Sequence, residues 1–279
     1  MLDCLLDGLL DSIKLIPYLF ATFFILEFLE HKLNAKSEKV LEKCNHFGPV
    51  VGGLFGALPQ CGFSTMASNL FSSGVITAGT LIAIFLSTSD EMLPIMISEH
   101  SHISLLLGLV GFKMVVGIIA GFIVDAVYRR KLNPHHEIHA HCEHDDCHCK
   151  ENGILKSSII HTFKIFVFVL LFNIALNLII FWIGEDQLSQ MLLSHNLFTY
   201  FIASLFGLIP NCASSVIITE LYLSGMISIG TLLSGLLTGS GLGILFLFKE
   251  NKNKKENLGI LLTIYLIGVV LGFLVDIII

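Results

Sequence analysis

The chain has 279 residues, of which 54% are hydrophobic and only 14% charged, with a formal net charge of −6 and a mean hydropathy of +0.82. Soluble domains carry about 25% charged residues, and several stretches here reach the roughly 20 apolar residues that cross a bilayer, so a soluble fold is excluded. A nucleic-acid partner is excluded too, because the few basic residues form no face outside short loops.

The chain opens on Met1-Leu2-Asp3-Cys4-Leu5-Leu6-Asp7. A secretory signal starts with a basic segment and ends on a small-residue cleavage site. Acids stand here instead, so the opening reads as mature sequence forming a short interfacial helix. Apolar spans follow from Ile13 to Leu29, Val75 to Ile97, Ile103 to Val127, Ile159 to Ile183, Met226 to Phe248 and Leu258 to Ile279. Between the first two lies Phe47 to Ser73, and between the fourth and fifth lies Leu197 to Ser224. Each of these is too long and too broken for one plain helix. Pro59 and Pro210 stand mid-way, each followed by a polar residue, a cysteine and a Ser/Thr-rich tract. Proline lacks the N–H and clashes with the preceding turn, so a helix stops or kinks there. The spacing predicts two half-helices meeting at each proline, either re-entrant or bent through the membrane.

The two interrupted regions are copies. Leu54-Phe55-Gly56-Ala57-Leu58-Pro59-Gln60-Cys61 returns 151 residues later as Leu205-Phe206-Gly207-Leu208-Ile209-Pro210-Asn211-Cys212. At the same offset Ser73-Gly74 matches Ser224-Gly225, Gly79-Thr80-Leu81 matches Gly230-Thr231-Leu232, and Gly121 to Asp125 matches Gly272 to Asp276. A duplicated apolar unit broken at corresponding places marks a secondary transporter, with its substrate site where the breaks meet.

Lysine and arginine cluster at Lys32, Lys36, Lys39 and Lys43, at Arg129, Arg130 and Lys131, and at Lys249, Lys252, Lys254 and Lys255. The connections Ser98 to His102 and Gly184 to His195 hold none. Positive loops stay in the cytoplasm, which places the three clusters there if each half crosses an odd number of times. The halves then lie in opposite orientations. The expected fold is therefore an all-α polytopic membrane protein of two inverted-topology repeats, residues 1–128 and 157–279, each with a Pro-broken helical hairpin. Residues 129–156 form a cytoplasmic linker between them, and the expected location is the inner (plasma) membrane.

Unwound backbone is tolerated inside a membrane only when buried in protein or lining a polar cavity. Around the breaks, Gln60, Cys61, Ser64, Thr65 and Ser68 on one side, and Asn211, Cys212, Ser214, Ser215 and Thr219 on the other, supply amide, thiol and hydroxyl ligands. The plainer alternative is close helix packing with Ser/Thr back-bonding to their own helices. Ionisable groups inside spans are costly and usually functional. Asp90 and Glu91 follow Ser87-Thr88-Ser89, Glu220 lies in the second interrupted region, and Lys113 lies within the apolar span Ile103 to Val127. At the place of Asp90-Glu91 the second repeat has Gly241-Leu242, so the acids suit a coupling or charge-selecting role; the alternative is an acid paired with Lys113 for packing. Asp125 and Asp276, near span ends, read as structural.

The linker is the other chemical signal. His135, His136, His139, His141, Cys142, His144, Cys147, His148 and Cys149 put six of twelve histidines and three of seven cysteines into fifteen residues. Imidazole and thiolate bind borderline and soft divalent metals, and a flexible tract can choose its donors. The spacing fits no fixed zinc motif, so the loop reads as a metal collector; a metal-free solvated linker is the alternative. The seven cysteines do not form a disulfide framework.

These residues resemble the ten-helix heavy-metal exporters, prokaryotic membrane proteins also labelled manganese transporters or arsenic-efflux-like permeases. The paired Pro59-Gln60-Cys61 and Pro210-Asn211-Cys212 segments, the Ser/Thr tracts and the His-rich loop carry the resemblance from about Ile13 to Ile279. It implies ten helices and metal efflux. No nucleotide-binding loop is present, so a secondary-active carrier using proton antiport is expected. Gln60, Cys61, Asn211 and Cys212 would form the central site, with Asp90, Glu91 and Glu220 neutralising the cation or exchanging protons. The transported or loop-bound metal is the expected ion, with no permanent cofactor and a homo-oligomer as a further expectation. Two alternatives stand: a permease for arsenite or another small oxyanion or sulfur-containing solute, and a membrane metal sensor. No protease or hydrolase constellation is present, so an enzyme is not expected.

Overall fold

The computed structural model describes residues 47–58, 61–89, 92–99, 102–128 and 197–278, with the isolated positions 16, 17, 20, 24, 159, 163, 166, 167, 170, 171 and 174. For residues 61, 62, 94, 212 and 213 it describes the backbone alone. Among the described residues the regular elements are helices: α1 Gly48–Gly56, α2 Cys61–Ser72, α3 Ala78–Ser87, α4 Met92–Ser98, α5 Ile103–Val127, α6 Phe198–Gly207, α7 Cys212–Leu223, α8 Ile229–Thr238, α9 Gly243–Glu250 and α10 Lys254–Ile278. The bounds of α2, α3 and α5 return at an offset of 151 as α7, α8 and α10, and α1 and α4 match α6 and α9 to within one residue.

Local chemistry sets these bounds. Thr77 and Ser228 start α3 and α8 by accepting the N–H groups of Thr80 and Thr231, as a side-chain cap should. Gly74 and Gly225 end α2 and α7 at φ of 70° and 73°. There the N–H of Val75 returns to Leu70 O at 2.8 Å, and that of Met226 to Leu221 O at 2.9 Å. That closing bond needs a left-handed residue, which glycine adopts without a Cβ clash. The recurring Ser-Gly pairs are therefore helix stops.

Among the described residues three stretches are long and apolar enough to cross a membrane by length and composition: Ile103–Val127, Ile229–Glu250 and Lys254–Ile278. At 1.5 Å per residue, α5 and α10 are each about 37 Å long. The stretch Ile229–Glu250 is interrupted, because α8 ends at Thr238 and α9 begins at Gly243, with Gly241 at a φ of 53° between them. The span read from the sequence as Val75 to Ile97 divides likewise, α3 ending at Ser87 and α4 starting at Met92. On α10, Leu258, Leu262, Leu266, Val270 and Leu274 are exposed along one face, and on α5, Leu107, Val115, Ile119 and Ile123 are. An apolar outer face is solvated by lipid, which needs no polar cover.

Within each half the long helix and the first half-helix meet through small residues. A Cβ at Gly121 would stand 2.6 Å from Gly79 O, and one at Gly272 2.6 Å from Gly230 O. Bare backbone is what lets the helices approach so closely. A carboxylate then pins each crossing. Asp125 accepts from Thr77 Oγ1 at 2.7 Å and from the Gly79 N–H at 2.8 Å. Asp276 accepts from the Gly230 N–H at 2.8 Å, from Tyr200 OH at 2.8 Å and from the Ser228 hydroxyl. Each places negative charge at the positive end of a helix, so both aspartates are structural, as expected.

Among the described residues the core forms two clusters, and each mixes the halves. Ala67, Phe71, Leu81, Phe85 and Ala120 pack with Leu237, Ile244, Leu247, Ile260 and Ile264. Met92, Met96 and Leu109 pack with Ala203, Phe206, Ile218, Leu221 and Leu232. Thus α2, α3 and the later part of α5 share a core with α9 and the start of α10, whereas α4 and the start of α5 share one with α6, α7 and α8.

Candidate functional site between the halves

The last turn of a helix leaves carbonyls without partners, and the break after α8 does this inside the protein. The Gly239 N–H still bonds Gly235 O at 3.1 Å, but the Ser240 N–H turns to Thr238 O at 2.9 Å. Leu236 O thereby loses its usual helical partner. After α3, Thr88 caps the helix at a ψ of 127°, and its carbonyl leaves the helical direction. Lys113, from the middle of α5, fills the place between them. Only 1% exposed, its Nζ donates to Leu236 O at 2.8 Å and to Thr88 O. Both acceptors lie at helix C-termini, the negative ends of their dipoles. The ammonium therefore joins two interrupted helices, one from each half.

Beside it lies a small cavity. Its wall takes Thr88, Ser89 and Met92 from the first break, Asn211, Ser214 and Ser215 from the start of α7, Leu236, Gly239 and Gly241 from the second break, and Lys113. There is space for about one water molecule, the least a polar cavity needs to hold one. The polar groups are hydroxyls, an amide, main-chain carbonyls and one ammonium. Ser214 Oγ donates to Asn211 O at 2.8 Å, which steadies the turn into α7. A second tie crosses the halves below the α8–α9 break, where Ser68 Oγ donates to Gly243 O at 2.7 Å and to Ser64 O at 3.0 Å. The segment Gly239–Leu242 is thus held on both sides by side chains of the first half.

The expected site residues fall as follows. Asn211 and Ser215 line the cavity, and Pro210 immediately precedes it. Ser64 is fully buried and packs against Gly243, beyond the break. Cys61 and Cys212 are the first residues of α2 and α7; their side chains lie outside what is described. Glu220 is exposed on α7 and does not line the cavity. Pro59, Gln60, Asp90, Glu91 and the linker residues His135 to Cys149 lie outside the described residues. Ser89 and Met92, which precede and follow Asp90-Glu91 in the chain, both line the cavity. Among the described residues no group of three or more His, Cys, Asp or Glu side chains comes together.

Sequence reasoning noted Lys113 as an ionisable group inside a span but did not place it in the site, and it read the two broken spans as continuous. The signals were a single lysine in the middle of an otherwise apolar span and the recurrence of Ser87-Thr88-Ser89 as Thr238-Gly239-Ser240.

The profile of a protein family described as "Putative, 10TM heavy-metal exporter" matches residues 2–180. No curated protein and no solved structure matches the chain. The chain belongs to this exporter family, a class of transporter and not of enzyme, and is a multi-pass membrane protein.

Proposed function

Starting from that membership, we propose that the chain is a secondary-active carrier that exports a divalent heavy metal by proton antiport. Manganese is the favoured cargo, with zinc and cadmium next, and the site is the cavity around Asn211, Ser215 and Lys113. The single observation that carries this reading is that the cavity lies where interrupted helices of both halves meet, the place where carriers of this kind hold their cargo. Asp90 and Glu91, bracketed in the chain by two cavity residues, would neutralise the ion or take its exchanging proton.

Many alternating-access carriers are built of two halves of opposite orientation, and the packing supports that arrangement. Asp125 fixes the end of α5 beside the start of α3. There α2, α3 and the later part of α5 share their core with α9 and the start of α10. Asp276 lies at the far end of α10, beside the start of α8. The end of α5 and the start of α10 thus pack toward one end of the described helices, which supports a reading in which the basic clusters beside them in the sequence share one cytoplasmic face. The glycines of α1 support a re-entrant course for the first interrupted region. Gly48 lies against Thr80 and Gly56 against Ser87, so α1 runs alongside α3 in the same direction. Since α2 leads directly back to Thr77, both of its outer ends lie at one end of α3. Tyr200, Ser204 and Gly207 meet Asp276, Ser234 and Thr238 in the same order.

Cellular metal content, measured by elemental analysis with and without the protein across manganese, zinc, cadmium, iron and arsenite, tests the cargo. In proteoliposomes, Asp90→Asn and Glu91→Gln should abolish pH-driven metal flux while sparing insertion; wild-type flux in both refutes the antiport. One observation favours a second reading, a permease for arsenite or another small oxyanion: Lys113 places a positive charge in the cavity wall. The His/Cys-rich linker, on the cytoplasmic side, would gather metal for export, and its removal should raise the metal concentration needed for half-maximal flux.

A further inference from the structure

We infer that Lys113 is a tethered stand-in for the cargo cation: its ammonium occupies the oxygens of Thr88 and Leu236 that an entering metal ion takes over, and so it sets the affinity and class of the cargo. The inference rests on the carrier reading above and deepens it. Carbonyls at the C-terminal ends of unwound half-helices are what coordinates cations in carriers built of broken helices. Both oxygens held by Lys113 are of this kind, one from each half. An anion placed there would face two negative helix ends. A cation would face them favourably, and the lysine already shows the preference.

The surrounding described donors are oxygens as well, from the Ser89, Ser214 and Ser215 hydroxyls and the Asn211 amide. Carbonyl, hydroxyl and carboxylate oxygens suit manganese, magnesium and calcium ahead of soft metals. The cavity thus fits an oxygen-seeking divalent ion. Two cations a few ångströms apart in a low-dielectric interior repel strongly, so ammonium and metal exclude one another. Such competition keeps affinity low enough for release, and it joins cargo binding to the bond between α5 and α8. When the metal displaces Nζ from Leu236 O, one of the two polar ties holding the α8–α9 break is released.

The test is manganese binding to purified full-length protein in detergent, followed by the paramagnetic resonance signal of free Mn²⁺, for wild type, Lys113→Gln, Lys113→Met and Lys113→Arg. Removing the charge should tighten binding about tenfold or more in the Gln and Met variants and slow release during flux. Arg keeps the charge and should bind no more tightly than wild type, so it tests the idea even if the neutral variants fail to fold. Unchanged or weaker binding in folded Gln and Met variants, or tighter binding in Arg, overturns the inference and leaves the carrier reading standing. Arsenite binding that is lost in Lys113→Gln, with no manganese bound by wild type, overturns it in favour of the oxyanion permease. A wild-type protein that binds neither overturns both this inference and the metal carrier.

Discussion

Gly121→Ala and Gly272→Ala test whether close backbone contact holds each half together. The added methyl at residue 121 would stand 2.6 Å from Gly79 O, 2.8 Å from Pro49 Cβ and 3.1 Å from Ala83 Cβ. At residue 272 it would stand 2.6 Å from both Gly230 O and Ser234 Cβ. A main-chain oxygen cannot rotate away, so α3 must part from α5, and α8 from α10. Overpacking of this kind costs about 1–3 kcal/mol, set against about 1 kcal/mol that alanine returns through helix propensity. Gly108→Ala is the control, because nothing lies within 4 Å of its new methyl, and it should receive the propensity gain alone. The expected gap between the core variants and the control is about 2 kcal/mol, roughly thirtyfold in the folding equilibrium. Reversible unfolding in mixed detergent micelles, titrated with a denaturing detergent, reads this directly. If both core variants match Gly108→Ala, the helices are not held at backbone distance and the account of the small-residue crossings is wrong.

Three further outcomes follow from single contacts. Tyr200→Phe removes the 2.8 Å hydrogen bond to Asp276 and should cost about 2 kcal/mol, the range for bonds to a charged acceptor. The first half has Pro49 at the matching place, so Asp276→Ala should lower the melting temperature more than Asp125→Ala; the reverse order would show that the tyrosine contributes nothing. Asn69 is 2% exposed with neither amide atom hydrogen-bonded. Since burying an unsatisfied amide costs about 1–3 kcal/mol, Asn69→Leu should hold or raise the melting temperature, and a clear fall would mean the amide has a partner in the working protein. Finally, in a background without the native cysteines, Arg129→Cys and Lys254→Cys should react with an impermeant thiol reagent from one side of the membrane, and labelling from opposite sides rules out the inverted arrangement.

Much of the scaffold was legible because its determinants are local and duplicated. Ser73-Gly74 and Ser224-Gly225 mark helix stops, and proline with its neighbours falls between α1 and α2 and between α6 and α7. The breaks after Ser87 and after Thr238 were not read. A run of leucine, isoleucine and phenylalanine keeps its hydropathy whether or not the helix is continuous, and serine, threonine and glycine interrupt it less visibly than proline. The cavity's composition was legible in part. Asn211 and Ser215 were picked from their place after Pro210, whereas Glu220 was picked for its charge and stands exposed on α7. Lys113 was noted as a charge inside a span but not placed in the site, because its two acceptors are main-chain carbonyls 25 and 123 residues away, and no side-chain pattern announces a carbonyl freed by a broken helix.

The departures from the repeat locate the chemistry better than the repeat itself does. Residues that hold the scaffold recur at the offset of 151: the aspartates at the crossings, the capping hydroxyls, the glycines at the closest approach. The charged residues near the breaks do not. Lys113 corresponds to Ile264, which is fully buried in an apolar cluster, and Asp90-Glu91 corresponds to Gly241-Leu242. On the proposed carrier reading the two copies have one meeting place, and a single ion there would need one set of charges. A second lysine at residue 264 would be fully buried in an apolar cluster, and burying an unpaired ammonium is costly. Ile264→Lys should therefore abolish folding, whereas Lys113, held by two helix ends, is stable in the same membrane. On the proposed reading, a lysine at residue 113 held by two main-chain carbonyls and an isoleucine in an apolar cluster at the matching place leave one cation site between the halves.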